Sequence, residues 1–398
     1  MNSGNVAGLD EVWSVPTAAR PYEPVVDRGR VAVSEDRYPN DGTVHVEAFS
    51  PDTGSRLWDQ VLVDNAVRPH VSPVAFSGDA LVTGYGFVGG VFPPPTSCPT
   101  AIERLDAGTG AQLAIDPGRM PVGPAVTSGD ALAVVTVPVG ADCTPGSSRR
   151  FEVRDPQTLA LRYTYAQPVS GGLPTFAGDL VIITSGPQML AFPAAGCGAA
   201  TCSPTWTATL PNSPPLQTNS FTSPVASDGL LFVKTVTVTA GRPPTTSITL
   251  QVRDPATGAA LGSTSIEGGA RTLAVRNSTV YYAEDPQAAT SVVNVRAIHY
   301  CRDCTERFTR PWSAPIDGTN FTADATIGGD VVYVAVNNGG GFVVALPADG
   351  CGAATCSPLA TVPTTGFPLE LSVASGHVFA ATSLGDGDNF TLSALAVP

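Results

Sequence analysis

Ser128-Gly129-Asp130-Ala131-Leu132-Ala-Val-Val135 is a tight turn that runs straight into an apolar strand. Gly, Asn and Asp tolerate the positive φ such a turn requires. The same unit recurs as Asp27-Arg28-Gly29, Ser77-Gly78-Asp79, Ala177-Gly178-Asp179, Ser227-Asp228-Gly229, Arg276-Asn277-Ser278, Gly328-Gly329-Asp330 and Ser375-Gly376-His377. A strand such as Val31-Ala-Val, Leu180-Val-Ile-Ile or Val331-Val-Tyr-Val follows each, at intervals of roughly 50 residues. An interval in that range marks an array of stacked units that share one core. There are eight units.

A second signal lies further along each unit. Ala48-Phe-Ser-Pro-Asp52-Thr53-Gly54-Ser-Arg-Leu-Trp58 reads as a strand, a Thr-Gly turn and another strand ending on a tryptophan. Leu105-Asp106-Ala-Gly-Thr109-Gly110, Arg154-Asp155-Pro-Gln-Thr158 and Arg253-Asp254-Pro-Ala-Thr257-Gly258 repeat it. Four antiparallel strands in such a length make one propeller blade, so the fold expected is all-β: a single eight-bladed β-propeller over 9–398. The eighth unit stops after its third strand, and Glu11-Val-Trp13-Ser-Val15 has the form of a missing fourth strand. Pairing 11–15 with the last blade, 369–398, would close the ring and remove two sheet edges. Residues 1–8 are polar and are expected to be flexible.

This pattern resembles the tryptophan-docking repeat of the PQQ-like, or quinoprotein-like, β-propellers, over nearly the whole chain. The resemblance implies the fold; function varies, since the family holds quinone-dependent dehydrogenases and non-catalytic scaffolds. The dehydrogenases carry a disulfide between adjacent cysteines, and no Cys-Cys pair occurs here. The four tryptophans also map to outer fourth strands, away from a central funnel. The non-catalytic branch is therefore expected, without a cofactor or metal, with a quinone-dependent dehydrogenase or sugar-processing enzyme as the alternative. Asp386-Gly387-Asp388-Asn389 lacks the twelve-residue calcium pattern and reads as a hairpin turn.

Composition excludes other classes. A net charge of −13 offers no basic footprint for nucleic acid and none for an anionic membrane surface. No apolar run is long enough for a transmembrane helix. Lys234 is the only lysine, and that skew toward arginine suits a high-GC genome of actinobacterial type.

The cysteines form local pairs. Cys197-Gly-Ala-Ala-Thr-Cys202 and Cys351-Gly-Ala-Ala-Thr-Cys356 are identical hexapeptides, and Cys301-Arg-Asp-Cys304 occupies the same turn in blade 6. Cys98 and Cys143 fall in long loops of adjacent blades and can bridge. Four disulfides imply a secreted or cell-envelope protein. Zinc would need about four converging ligands, and these pairs sit on separate blades.

Function is expected on loops held by the rigid ring. The loops from strand two to strand three and the links between blades emerge on one face. Those loops carry Tyr38, Tyr85, Phe87, Phe92, Arg149, Arg150 and Arg242; the links carry Tyr22, Arg68, His70, Phe221, Arg271, Phe321 and Phe367. Aromatics mixed with arginine are typical interface anchors. The reading is a monomeric scaffold that binds a protein or cell-envelope partner there; a carbohydrate-binding propeller is a further alternative. His70 stands apart from the other histidines, because Arg68-Pro69-His70 enters the first strand of blade 2 near the central channel, but it is expected to be a solvated loop histidine.

Overall fold

The computed structural model describes residues 1–17, 19–36, 42–63, 69–87, 99–139, 146–170, 172–210, 217–240, 245–266, 273–284, 292–317, 320–385 and 389–397. Eight antiparallel sheets stand around one axis; in seven the chain runs from the axis outward through four strands, and in the eighth through three. Blade 1 is Val25–Asp27, Arg30–Asp36, Val44–Phe49 and Arg56–Val63. Neighbouring innermost strands touch all the way round, including blade 8 against blade 1, so the ring is closed.

Burial follows from that geometry. A second or third strand is covered on both faces by adjacent blades, and Val31, Ala32, Val33, Ser34 and Glu35 are all fully buried. Such strands read as continuous apolar runs. Fourth strands splay apart at the rim and alternate exposed with covered residues, as Arg56–Val63 does. Pro24, Pro73 and Pro124, spaced like the blades, precede the innermost strands of blades 1, 2 and 3. With Val25, Val74 and Ala125 these line an axial cavity of about 470 Å³.

The termini complete one blade. Phe367–Ala374, His377–Ser383 and Phe390–Ala396 take Asp10–Thr17 as their fourth strand, with Trp13 opposite Ala394 and Val15 opposite Leu392. The segment before the first strand is seated on blade 7. Val6 is fully buried and Leu9 is 6% exposed, and both pack with Tyr333 and Val343. Ser3 donates to the Asp330 carboxylate from its amide (2.9 Å) and its hydroxyl (2.5 Å). The two apolar side chains override the polar composition around them.

Blades are joined by a repeated lock. Trp13 Nε1 donates to the Pro51 carbonyl of blade 1 (2.7 Å), Trp58 to Ala107 of blade 2 (3.0 Å), Trp206 to Pro255 of blade 5 (3.0 Å) and Trp312 to Ala348 of blade 7 (3.3 Å). Under each indole sits a positive-φ glycine of the receiving turn: Gly54, Gly110, Gly258 and Gly350. A Cβ there would come within 2.7 Å or less of the ring. Tyr163 does the same work between blades 3 and 4, donating to the Pro193 carbonyl (2.8 Å).

Two junctions invert the arrangement. Blade 2 offers Ala114 where its neighbours offer an aromatic, and blade 3 answers with Leu159, 2% exposed, at the glycine position. Blade 5 offers Gly262, against which Phe308 of blade 6 packs.

Disulfides close Cys197–Cys202, Cys301–Cys304 and Cys351–Cys356, as expected. Cys98 and Cys143 lie outside the described residues. Each bridged segment covers the outer edge of the preceding blade. Thr201–Cys202 runs parallel to Leu161–Tyr165 of blade 3, and Thr355 bridges Ser313 of blade 6. The third segment lies along blade 5.

Candidate functional site

Three segments converge where the loop-bearing face meets blades 1 and 2. Tyr22 lies in the link entering blade 1, held by its amide donating to the Ser34 carbonyl (3.0 Å) and by the neighbouring Pro21–Glu35 bridge. Asp36 ends the second strand of blade 1. His70 lies in Pro69–Val71, which pairs with Tyr85–Phe87 of blade 2.

Tyr22 donates its hydroxyl to Asp36 Oδ2 (3.0 Å). The Tyr22 and His70 rings meet edge to face, centroids 6.2 Å apart at 85°. Burial raises the Asp36 carboxyl above its ordinary value, opposed by the Tyr22 hydrogen bond and the charges of His70 and Arg20. Burial lowers the His70 imidazole, with Asp36 acting the other way. Burial and the adjacent carboxylate push the Tyr22 phenol far up. The corner thus offers a neutral imidazole beside a partly desolvated carboxylate, an acceptor pair for a hydroxyl, amide or cationic donor.

A second polar pair lies beneath. Tyr85 donates to Glu103 Oε1 (2.9 Å), and burial raises both groups. Tyr85 is only 5% exposed and packs with Val44, Val71 and Ala101. It was expected to be an exposed anchor; it is a core residue supporting the corner, because its position in Ala80–Phe87 turns the ring between blades. Glu35 is fully buried and accepts the Ala19 amide (2.9 Å).

Of the other expected face residues, Arg149 donates to the Ser170 carbonyl (3.1 Å) and Arg150 pairs with Thr136 in the sheet. Phe367 opens the innermost strand of blade 8. The backbones of Phe87, Phe221 and Phe321 lie in strands. Tyr38, Arg68, Phe92, Arg242 and Arg271 lie outside the described residues. The face therefore brings together Tyr22 and His70. Asp36 and Glu103 were missed by the sequence reading, although Glu35-Asp36 ending an apolar strand was the available signal. Among the described residues no three His, Cys, Asp or Glu side chains are placed to hold a metal.

The chain superposes over its full length on 77% of a quinohemoprotein alcohol dehydrogenase from Pseudomonas putida HK5, with a TM-score of 0.58 and 13% identity. The corresponding enzyme from Comamonas testosteroni gives a TM-score of 0.59 at 13% identity, covering 100% of this chain and 78% of that one. Saccharomyces cerevisiae Sqt1 gives 0.59 at 11% identity, covering 98% and 99%. The likeness is one of fold. No protein-family model matches the sequence, and no curated protein does. All four tryptophans are engaged between blades, so none faces the axial cavity, whose described wall is largely aliphatic and proline.

Proposed function

We propose that this propeller is an extracytoplasmic binding scaffold that engages a protein or cell-envelope partner through its loop-bearing face. The observation that carries the reading is the convergence of Tyr22, Asp36 and His70 from separate segments onto that face. Tyr22 also rests on the core between blades 1 and 2, with Val44, Val71 and Tyr85, and an aromatic pair around a desolvated acid suits a buried anchor. Three closed disulfides support an oxidising compartment.

The test is chemical cross-linking on the native envelope with wild type and a Tyr22→Ala/His70→Ala variant of matched melting temperature. The expected result is at least a tenfold loss of the cross-linked partner in the variant. Equal cross-linking would reject this face. Stoichiometric tryptophan quenching by a pyrroloquinoline quinone with calcium would instead favour the dehydrogenase reading.

A further inference from the structure

The fourth strands of five blades share a β-bulge that skips one residue: Val12, Leu57, Leu113, Arg162 and Leu261 in blades 8, 1, 2, 3 and 5. A bulge turns its extra residue out of the ladder. At the next position stand Trp13, Trp58 and Tyr163 in three of these blades, and the small Ala114 and Gly262 in blades 2 and 5.

At blade 5 the room left by Gly262 is filled from within the chain. Phe308 packs there, and its segment lies along the edge of Ala260–Ile266. Arg307 donates to the Leu261 carbonyl, Arg310 to the Ser265 carbonyl (2.7 Å), and Arg302 faces Asp254 at 3.6 Å.

Blade 2 repeats the receiving half of this arrangement. Leu113 stands for Leu261, Ala114 for Gly262, Pro117 for Ser265 and Asp106 for Asp254. The turn of blade 3 that faces it is short, however, and brings only Leu159. A notch of about 300 Å³ remains, lined by Ile115, Asp116, Arg119, Arg154, Leu159 and Leu161. Ile115 is 46% exposed, Leu161 45% and Leu113 47%. No described strand lies on the outer side of Gln112–Pro117. A bulge that only blunted this edge would suit charged side chains as well as aliphatic ones.

We propose that the notch between blades 2 and 3 is a docking site for an extended segment of a partner polypeptide. The segment carries an aromatic side chain flanked by arginines and is seated as Cys301–Arg310 is seated on blade 5. The aromatic ring enters between Ile115, Leu159 and Leu161. The arginines meet the carbonyls of Leu113 and Pro117 and the carboxylate of Asp106. The notch runs along the rim from Leu159 in the turn of blade 3 to Asp116 and Arg119 at the link between blades 2 and 3, and shares no residue with the Tyr22, Asp36 and His70 corner.

The probe is a fluorescein-labelled, disulfide-closed peptide of residues 301–310, titrated against the full chain and read by anisotropy. Saturable binding is expected, weakened at least tenfold by Leu161→Asp and by Phe→Ala in the peptide. The double variant Ala114→Trp/Leu159→Gly, which rebuilds the lock of blades 1 and 2, is expected to abolish it. The Tyr22→Ala/His70→Ala variant is expected to bind as wild type, which separates this site from the loop-bearing face. Absence of saturation up to the millimolar range, or equal binding by wild type and Leu161→Asp, would overturn the proposal.

Discussion

At the scale of single residues, stability rests on pairs that complement each other across blade junctions. Gly54 has φ +67°, and a Cβ on it would lie 2.7 Å from Trp13 Cδ2. Gly54→Ala therefore combines a disfavoured backbone with a steric clash, and a loss of about 2–4 kcal/mol is expected in urea unfolding. Leu159 shows the opposite balance. It holds φ +61°, a strain of about 1 kcal/mol, yet truncating a buried leucine costs about 2–5 kcal/mol. Leu159→Gly is therefore destabilising although it removes the strain. Adding Ala114→Trp should recover more than about 1 kcal/mol beyond additivity, measured as a double-mutant cycle. His70 makes a prediction about pH. Its folded pKa lies below the ordinary value of 6.5, so the native state binds fewer protons than the unfolded chain between the two values. Its contribution is then complete above 6.5 and is lost as pH falls through 6.5 toward the folded value. In His70→Asn the drop in unfolding free energy from about pH 7.5 to about pH 5 should shrink; an unchanged difference would place His70 in solvent. None of these pairings could be read from one blade alone. Leu159 looks like an irregular turn residue until Ala114 is set beside it.

At the scale of elements, the bridged turns act on the blade before their own. The pairing within each turn was legible, because cysteines three or five residues apart can close locally. What they cover was not, because the neighbouring blade's outer strand is some 40 residues away. Cys301→Ser/Cys304→Ser should cost about 2 kcal/mol by the chain-entropy relation for so short a loop. The more specific expectation concerns Ala260–Ile266, whose edge that segment covers through Arg307 and Arg310. Hydrogen exchange of these amides should accelerate at least tenfold in the double variant, while exchange in Arg56–Val63 of blade 1 stays unchanged. Uniform acceleration in both strands would mean that the bridge stabilises the ring as a whole rather than capping one edge.

At the scale of the whole molecule, the fold was legible because it is written eight times, and agreement among weak turn signals outweighs any single one. The candidate site is written once. Tyr22 and His70 come from links into different blades, Asp36 lies at a strand end, and no period connects them. Closure of the ring depends on one further non-repeated element, Asp10–Thr17, and its role can be tested directly. Deleting residues 1–16 removes the strand paired with Phe390–Ala396, the indole that locks blade 8 to blade 1, and the buried Val6 and Leu9 between blades 7 and 8. It also leaves the last sheet with an uncovered edge. A domain closed in a ring should unfold in one transition, whereas an opened array resembles a chain of nearest-neighbour units that can fray from its ends. The truncated chain should therefore melt on the order of 10 °C lower, with a broadened calorimetric transition. Its first-exchanging amides should lie in His377–Ser383 and in blade 1. A sharp transition at the wild-type temperature would show that the ring holds without the strand from its N-terminus.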